Sequence, residues 1–555
     1  MRPACGLLAT LVFPTVAFPQ NAPTRHEVLN GMRKAATFYV DKVSKGGGYH
    51  FYYAEDLSFG RSEHGQGPTQ VETQREGTPR VAMALLEAYD ATGDRLYLEA
   101  ARKAALALVE GQLCSGGWDY LIEFDPAARK KYPYRTEYDC AAPSVPQKPP
   151  TSLDDNITQA CTRVLMRVDR ALGFKDRAIH EAARFALESL LKAQYPIGAW
   201  PQRYSVFPDP AKFPVKPASY PETWPRQWPG EVYYEHYTFN DNSIADNIDL
   251  MLEAAAVYKD PRLLAAAERG GQFLLLAQMP EPQPGWAQQY DRDMHPAWAR
   301  LFEPPSVTGG ESHSVMEMLL LLHRETGDRK YLRPFPSALA YYERSILPPV
   351  ANPSQARRRF RPGEPVLARF YELRTNRPLY ITKGNVIRAK GLGTSRADGY
   401  EISYTDESVI THYAVLTSGA WVAEVRAAYE RLLKADAAGL RRGGKLHGLS
   451  PWSTGNRAPL APRPEASKVR SLLDSMDARG AWAEMGYIGK ADRLIQLWAA
   501  HDGTMVVNGR ITPIKEDDRI EFYEGKQPPR TRIIRSTTFA QNLETLAAWI
   551  ANNKD

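Results

Sequence analysis

The feature that most constrains this chain is a repeat. Four segments share an aspartate at the head of an apolar-periodic run: Thr92-Gly-Asp-Arg-Leu-Tyr-Leu-Glu-Ala-Ala-Arg102, Lys175-Asp-Arg-Ala-Ile-His-Glu-Ala-Ala-Arg184, Lys259-Asp-Pro-Arg-Leu-Leu-Ala-Ala-Ala-Glu268 and Thr326-Gly-Asp-Arg-Lys-Tyr-Leu332. Asp94, Asp176, Asp260 and Asp328 are spaced by 82, 84 and 68 residues. In the first three units a glutamine follows 18 residues later (Gln112, Gln194, Gln278), and a Gly- or Ala-Trp loop comes next with Trp118, Trp200 or Trp286. Helical periodicity dominates up to about residue 345. Each unit therefore reads as a helix, a turn carrying the aspartate, a second helix and a long loop. Such hairpins bury their faces on one another, in an open stack or a ring. Few units with long loops on one side predict a mainly α chain: an (α/α) toroid, or incomplete α/α barrel, with small β elements and a C-terminal extension.

The first helix of each unit starts with an acidic residue beside a small or polar one: Glu76-Gly-Thr, Asp155-Asn-Ile-Thr, Asp241-Asn-Ser and Glu311-Ser. An acidic residue there complements the helix dipole and caps the first turn. At the third start, however, Asn242 or Ser243 can cap, and Asp246 follows Ser243 in the manner of a capping box. Asp241 is then spare. In a toroid the four acidic starts gather at one rim of the central cleft. The turn aspartates, from Asp94 to Asp328, read as structural. Each repeated tryptophan reads either as packing or as a platform for sugar.

Residues 1–20 have a short basic end and an apolar run too short to span a bilayer, which reads as a secretory leader. No later segment approaches membrane-spanning length, so the expectation is a secreted or periplasmic protein. Without the leader, Cys114, Cys140 and Cys161 remain. The first two bracket one loop and suit a disulfide. Cys161 lies on the stripe Ile157, Cys161, Val164, Leu165, Val168 and reads as a buried thiol. The net charge of +6 is dispersed. It favours an anionic partner but carries no nucleic-acid signature.

Beyond residue 350 the character changes. Residues 366–382 read as two short strands around a turn; helices are expected near 407–435, 466–500 and 538–552, with a strand-like patch at 503–535. Residues 25–400 form the expected toroid. Residues 401–555 either complete it or form a separate lobe.

Several ordered motifs resemble those of the family 10 polysaccharide lyases, the α/α-toroid pectate lyases. They are Asp155-Asn156, Gln194-Tyr-Pro-Ile-Gly-Ala-Trp-Pro-Gln202, Thr238-Phe-Asn-Asp-Asn242, Trp286-Ala-Gln-Gln-Tyr-Asp291, Ala299-Arg-Leu-Phe-Glu-Pro-Pro-Ser306 with Glu311-Ser312, and Arg369-Phe-Tyr-Glu-Leu-Arg-Thr-Asn-Arg-Pro378. The resemblance spans roughly residues 70–380. It implies cleavage of a polyuronate, pectate first, by calcium-assisted β-elimination. It also implies metal-site roles for Asp155 and Asp241, the former catalytic as well, and an arginine, Arg300 or Arg377, facing the C5 proton. Trp200, Asn242, Trp286, Glu311 and Asn376 fall in the same motifs and are the expected substrate contacts. Three features depart from the pattern: Ala199 in the Gly-Gly-Trp loop, a Pro- and Trp-rich insertion at 205–231, and the long tail after Arg377-Pro378.

The chemistry is coherent. The proton beside a uronate carboxylate is weakly acidic, so that carboxylate must be neutralised. Calcium takes roughly 6–8 oxygen ligands and suits a site completed by substrate. An arginine base conflicts with a guanidinium pKa above about 12. The residues alone support only an arginine that holds carboxylate. Two other readings stand beside the lyase. One is an inverting glycoside hydrolase using two of Glu76, Asp155, Asp241 and Glu311, roughly 6.5–9.5 Å apart. The other is a non-catalytic carbohydrate-binding protein.

Overall fold

The computed structural model describes residues 22–354, 356–382, 400–407, 409–410, 413–436, 464–486, 504–507, 510–513 and 530–553. The expected leader lies outside these; of the helix expected over 466–500 only Ala466–Asp474 is helical, a turn and the strand Ala483–Gly486 follow it, and 487–500 lie outside the described residues. Among the described residues there are twelve α-helices: α1 Arg25–Phe38, α2 Thr78–Thr92, α3 Arg95–Glu110, α4 Ile157–Ala171, α5 Arg177–Ala193, α6 Ser243–Tyr258, α7 Pro261–Leu276, α8 Glu311–Thr326, α9 Phe335–Ser345, α10 Ala420–Lys434, α11 Ala466–Asp474 and α12 Ser536–Asn552. None is long and apolar enough to cross a membrane.

The even-numbered helices form an inner layer. α12 packs on α2, α2 on α4, α4 on α6, α6 on α8 and α8 on α10. Outside them, α1, α3, α5, α7 and α9 each pair within a hairpin or with a neighbouring unit. α4 and α6, in the middle of this layer, are buried nearly all round, every residue from Ile157 to Asp169 and from Ser243 to Ala254 being buried, whereas α10 at its end buries only Trp421, Val422 and Val425. α3, α5 and α7 keep one wet face, as amphipathic outer helices should.

The repeat residues are the fasteners of this arc. Asp94, Asp176 and Asp260 cap α3, α5 and α7, accepting from the backbone N–H of Leu96, Ile179 and Arg262 at 3.1, 3.3 and 3.0 Å. Asp328 does the same for a single 3₁₀ turn, Arg329–Leu332. Each of the first three also binds an arginine from the preceding outer helix: Arg33 to Asp94 at 2.7 Å, Arg102 to Asp176 at 2.7 Å, Arg184 to Asp260 at 3.1 Å. Gln112 and Gln194 reach forward, donating to the carbonyls of Ala182 and Ala266 in the next outer helix, both at 2.9 Å.

The tryptophans are fasteners too. Trp118, Trp200 and Trp286 donate their indole N–H to Leu108, Leu190 and Leu274 carbonyls at 2.8, 2.9 and 2.9 Å. Trp200 and Trp286 are 1% and 0% exposed, so the expectation that they present a platform to sugar is overturned. An indole that packs on all sides and satisfies its single donor inside the core has no face left for a ligand. Ala199 leaves this geometry intact. The position that demands glycine is Gly198, whose φ is +102° and whose added Cβ would lie 2.0 Å from the Arg269 carbonyl oxygen.

The tail obeys the same rules. Trp482 donates to the Leu472 carbonyl at 2.8 Å, ten residues upstream, as Trp118 and Trp200 do. α11 is thus one more outer helix, and α12, which follows it, is an inner helix docked on α2 and α1. The last segment of the chain therefore stands ahead of the first in the spatial order of units. Short strands close the join: Thr531–Arg535 pairs antiparallel with both Ala483–Gly486 and Tyr52–Ala54. In the middle region the structure adds a third strand to the two expected, Val366–Ala368, Phe370–Tyr371 and Pro378–Thr382. Cys114 and Cys140 form a disulfide, and Cys161 is a buried free thiol.

Candidate functional site

Inner helices begin at the ends of short strands. Thr151–Ser152, before α4, pairs with Arg203–Tyr204; Tyr237–Thr238, before α6, pairs with Gln289–Tyr290; Val307–Thr308, before α8, pairs with Phe370–Tyr371. Each strand hands the chain to a helix through a turn on the same rim of the arc.

Two of those turns are conformational copies. Asp155 and Asn156 have φ of 50° and 57°; Asp241 and Asn242 have 51° and 58°. Four non-glycine residues in the left-handed region, in two consecutive pairs, is an expensive backbone, and Asp and Asn are the side chains that tolerate it best. Neither helix gains a side-chain cap from the arrangement. The expected capping by Asn242 or Ser243 is absent: Ser243 donates instead to the Asn240 carbonyl at 3.0 Å, and Asp246 is buried within α6. The turns serve to aim carboxylates.

They aim three. One oxygen from each of Asp154, Asp155 and Asp241 lies within 4.8 Å of the others. Asp154 is anchored by Tyr120 and Arg203 at 3.0 Å and by Gln202 at 3.2 Å. Asp155 accepts from Gln74 at 2.9 Å, and Asp241 from Asn240. The cluster opens on a cleft of about 510 Å³ that Glu76, Asn156 and Asn242 also line. Desolvation, then the charge of Asp154, pushes Asp155 up to about 6. Asp241 is wetted by the cleft yet walled by protein; burial and the two neighbouring aspartates raise it to about 7, against the pull of Arg300 and Arg369. Three repelling carboxylates held together by separate anchors, with oxygen lone pairs facing an open cleft, fit a hard divalent cation. Asp154, Asp155 and Asp241 would be the residues that hold it.

Beside Asp241 stands a cationic pair. Arg300 forks onto Glu303, Nε at 2.8 Å and Nη2 at 2.6 Å. Arg369 donates to Asn240 Oδ1 at 3.0 Å and to Glu311. The Tyr413 ring lies against both guanidinium groups, 5.3 Å from Arg300 and 4.0 Å from Arg369, and its hydroxyl donates to Glu303 at 2.6 Å. Glu303 is fully buried and also accepts from Gln288 at 2.7 Å.

Of the residues singled out in the sequence, Asp155, Asp241 and Asn242 meet in the cleft, and Arg300 stands next to it. Glu311 is spent on Arg369 and Thr308, so it positions an arginine. Asn376 and Arg377 are corrections. Asn376 uses every polar atom inside the fold, accepting from Gln283 and Tyr341 at 3.0 and 2.6 Å and donating to Ser345 at 3.0 Å. Arg377 is exposed and stacks on Tyr404 at 3.5 Å. Both lie in the turn of the Phe370–Tyr371 and Pro378–Thr382 hairpin, which carries Arg377 about 10 Å from Arg369. Burial alone would lower the Arg300 pKa, but its ion pair with Glu303 outweighs that and raises it beyond the ordinary guanidinium value, so Arg300 stands here as a cation.

Asp154, Arg369, Glu303 and Tyr413 were not foreseen. Asp154 had a signal, because aligning Asp154-Asp-Asn156 with Asn240-Asp-Asn242 puts it beside the metal-site candidate. Arg369 opens the motif that contains Arg377, and only the strand pairing shows which arginine stands beside Asn240 and Asp241.

The sequence profile of the pectic acid lyase family matches residues 129–410, just over half of the chain. No curated protein matches the chain. Among solved structures, a family 10 polysaccharide lyase from Cellvibrio cellulosa is 19% identical, with a TM-score of 0.42, over 64% of this chain and 97% of that one. A variant of that enzyme in complex with trigalacturonic acid is 18% identical with a TM-score of 0.41, over 64% and 98%. Cellobiose 2-epimerase from Bacillus thermoamylovorans is 13% identical with a TM-score of 0.36, over 58% and 73%. Likenesses this distant bear on neither substrate nor mechanism.

Proposed function

The chain belongs to the pectic acid lyase family, and from that premise we propose that this polysaccharide lyase cleaves a polyuronate, pectate first, by calcium-assisted β-elimination. The observation that carries the reading is the convergence of Asp154, Asp155 and Asp241 on one cleft, with Arg300 and Arg369 pinned beside them.

In the reaction hydroxide from the alkaline solvent that fills the cleft accepts the C5 proton, the C4–O bond breaks with its electron pair leaving on oxygen, which takes up a proton from water, and a C4–C5 double bond forms. A bound divalent cation would supply the neutralisation of the uronate carboxylate that makes that proton acidic. The protein's own groups do the rest. Gln74, Asn240, Arg203 and Tyr120 hold the three aspartates against their mutual repulsion. Arg300 and Arg369, fixed by Glu303 and Glu311, present positive charge that needs no reorganisation as negative charge grows on the sugar. Their ion pairs keep them protonated, so they act as cations and substrate anchors. The Tyr413 ring lies against both guanidinium groups and helps to fix them. Asp155 and Asp241 approach within 4.8 Å, closer than the roughly 6.5–9.5 Å that a water between acid and base requires, so these two do not form the carboxylate pair of an inverting hydrolase.

The Cys114–Cys140 disulfide supports an oxidising, secreted or periplasmic setting. The test is direct: incubate the protein with polygalacturonate at alkaline pH, with calcium or with a chelator, and follow ultraviolet absorbance of unsaturated uronide. Calcium-dependent growth of the signal is expected. New reducing ends without that absorbance would replace elimination by hydrolysis, and no cleavage of any polyuronate would overturn the reading.

A further inference from the structure

The family profile stops at residue 410 and begins at 129, but the cleft does not. Two-thirds of the residues lining it lie outside that span. Among them are Phe51 and Tyr52, which precede α2, and Arg535, from the strand that leads into α12. Because α12 packs on α2, and α2 on α4, Arg535 stands two inner helices from Asp155 on the side away from Arg369.

Arg535 is built into place as Arg369 is. A glutamate holds each: Glu311 for Arg369, Glu484 for Arg535. Each guanidinium lies against a tyrosine ring, Tyr413 at 4.0 Å and Tyr52 at 4.8 Å. Glu484 is itself fixed by Thr538 at 2.8 Å. Phe51 stands edge-on to Tyr52, with ring centroids 6.0 Å apart, so aromatic surface and a cation share one wall of the cleft. A fixed guanidinium recognises carboxylate and an aromatic ring stacks on a sugar face, so this pairing suits one uronate residue of a longer chain.

We propose that Arg535, with Tyr52 and Phe51, forms an additional uronate-binding subsite, supplied by the C-terminal segment, that lengthens the cleft beyond the aspartate cluster. The inference rests on the polyuronate reading above. The cleft then grips a polymer at two cationic stations on either side of the carboxylates. Long chains engage both stations, whereas short oligomers at the aspartates reach only one.

The experiment compares kcat/KM on polygalacturonate and on trigalacturonate for the full chain and for Arg535→Gln, Tyr52→Ala and Glu484→Gln. Arg535→Gln is expected to raise KM for the polymer about tenfold, the scale of one charge-assisted hydrogen bond, and to lower the polymer-to-trimer ratio accordingly. Tyr52→Ala should shift the ratio the same way. Glu484→Gln loosens the hold on Arg535 but keeps its charge in the cleft, so KM for the polymer should rise by less than in Arg535→Gln. If Glu484→Gln and Arg535→Gln raise KM alike, Arg535 acts through the fold and the subsite is overturned. An unchanged ratio in Arg535→Gln, with the unsubstituted protein active, overturns the subsite alone. An unsubstituted protein that neither cleaves nor binds any polyuronate overturns the lyase reading and the subsite together.

Discussion

Asp260 and Asp241 sit at the heads of consecutive helices, nineteen positions apart. Asp260 stands in extended backbone with φ of −99°, caps α7 and binds Arg262 and Arg184, which hold its carboxyl below the ordinary range. Asp241 stands in left-handed backbone, caps nothing and is pushed up to about 7. The same side chain stabilises one turn and loads another. Position at a helix start therefore says little about role; backbone conformation and the sign of the neighbouring charge decide it. Strain and like-charge crowding persist only where the surrounding structure holds them, and they set the inner rim apart as the place where the proposed chemistry would occur.

The comparison breaks first at activity. Asp241→Ala should lower kcat/KM by ~100-fold or more, the scale of losing a preorganised charge at a developing transition state, while the melting temperature holds or rises as repulsion is relieved. Asp155→Ala should do the same. A variant that melts earlier and keeps its activity would make these residues structural and erase the distinction.

Titration without a divalent cation sharpens it. The folded-state values of Asp155 and Asp241, about 6 and about 7, lie above the ordinary 3.8. Their neutral forms favour folding, so that contribution is fully present below pH ~4 and is lost as pH rises through 6 and 7. Asp260 has the opposite sign: its carboxyl is depressed, and its contribution is present above the ordinary carboxylate value and lost as pH falls. In chelator, stability measured by urea unfolding should decline from pH 5 to pH 8, and calcium should restore it at pH 8. A flat profile in chelator would mean that the cluster is already neutralised by its protein anchors. At the outer turn, Asp260→Ala should cost about 1 kcal/mol through the lost cap and lower the melting temperature by ~2 °C, with kcat/KM unchanged.

What the sequence made legible follows the same divide. The outer turns repeat, because the same fastening problem recurs in every unit; hence the helical hairpins, the four aspartates and the acidic inner starts could be read directly. The inner rim repeats only in part, and its partners come from distant segments. Arg369 reaches Asn240 across 129 positions, and Tyr413 reaches Glu303 across 110. Period carries no information about such contacts. Trp200 and Trp286 misled for the converse reason: they repeat because they fasten, and a residue repeated in every unit is a poor guide to a site that exists once. Residues 401–555 read equally as completing the toroid or as a separate lobe, since the cues for docking α12 on α2, Gly480-Ala-Trp482 and a short strand, are legible only when set beside the other units.

The smallest expected effect tests that lesson at one residue. Arg377 lies in a motif that the lyase resemblance marks out, and a role facing the C5 proton would make it indispensable. In the structure its guanidinium lies on Tyr404, a ring 39% exposed at the surface, while Asn376 beside it is bound to the outer helix α9 through Tyr341 and Ser345. A cation so placed contributes what an exposed side chain does, within about 0.5 kcal/mol, or roughly twofold in kcat/KM. Arg377→Ala should therefore leave turnover on polygalacturonate nearly intact, while Arg369→Ala, one hairpin away, removes most of it. If Arg377→Ala abolished turnover instead, the hairpin would have to fold over the cleft during the reaction, and the inner rim would no longer mark the whole of the catalytic machinery.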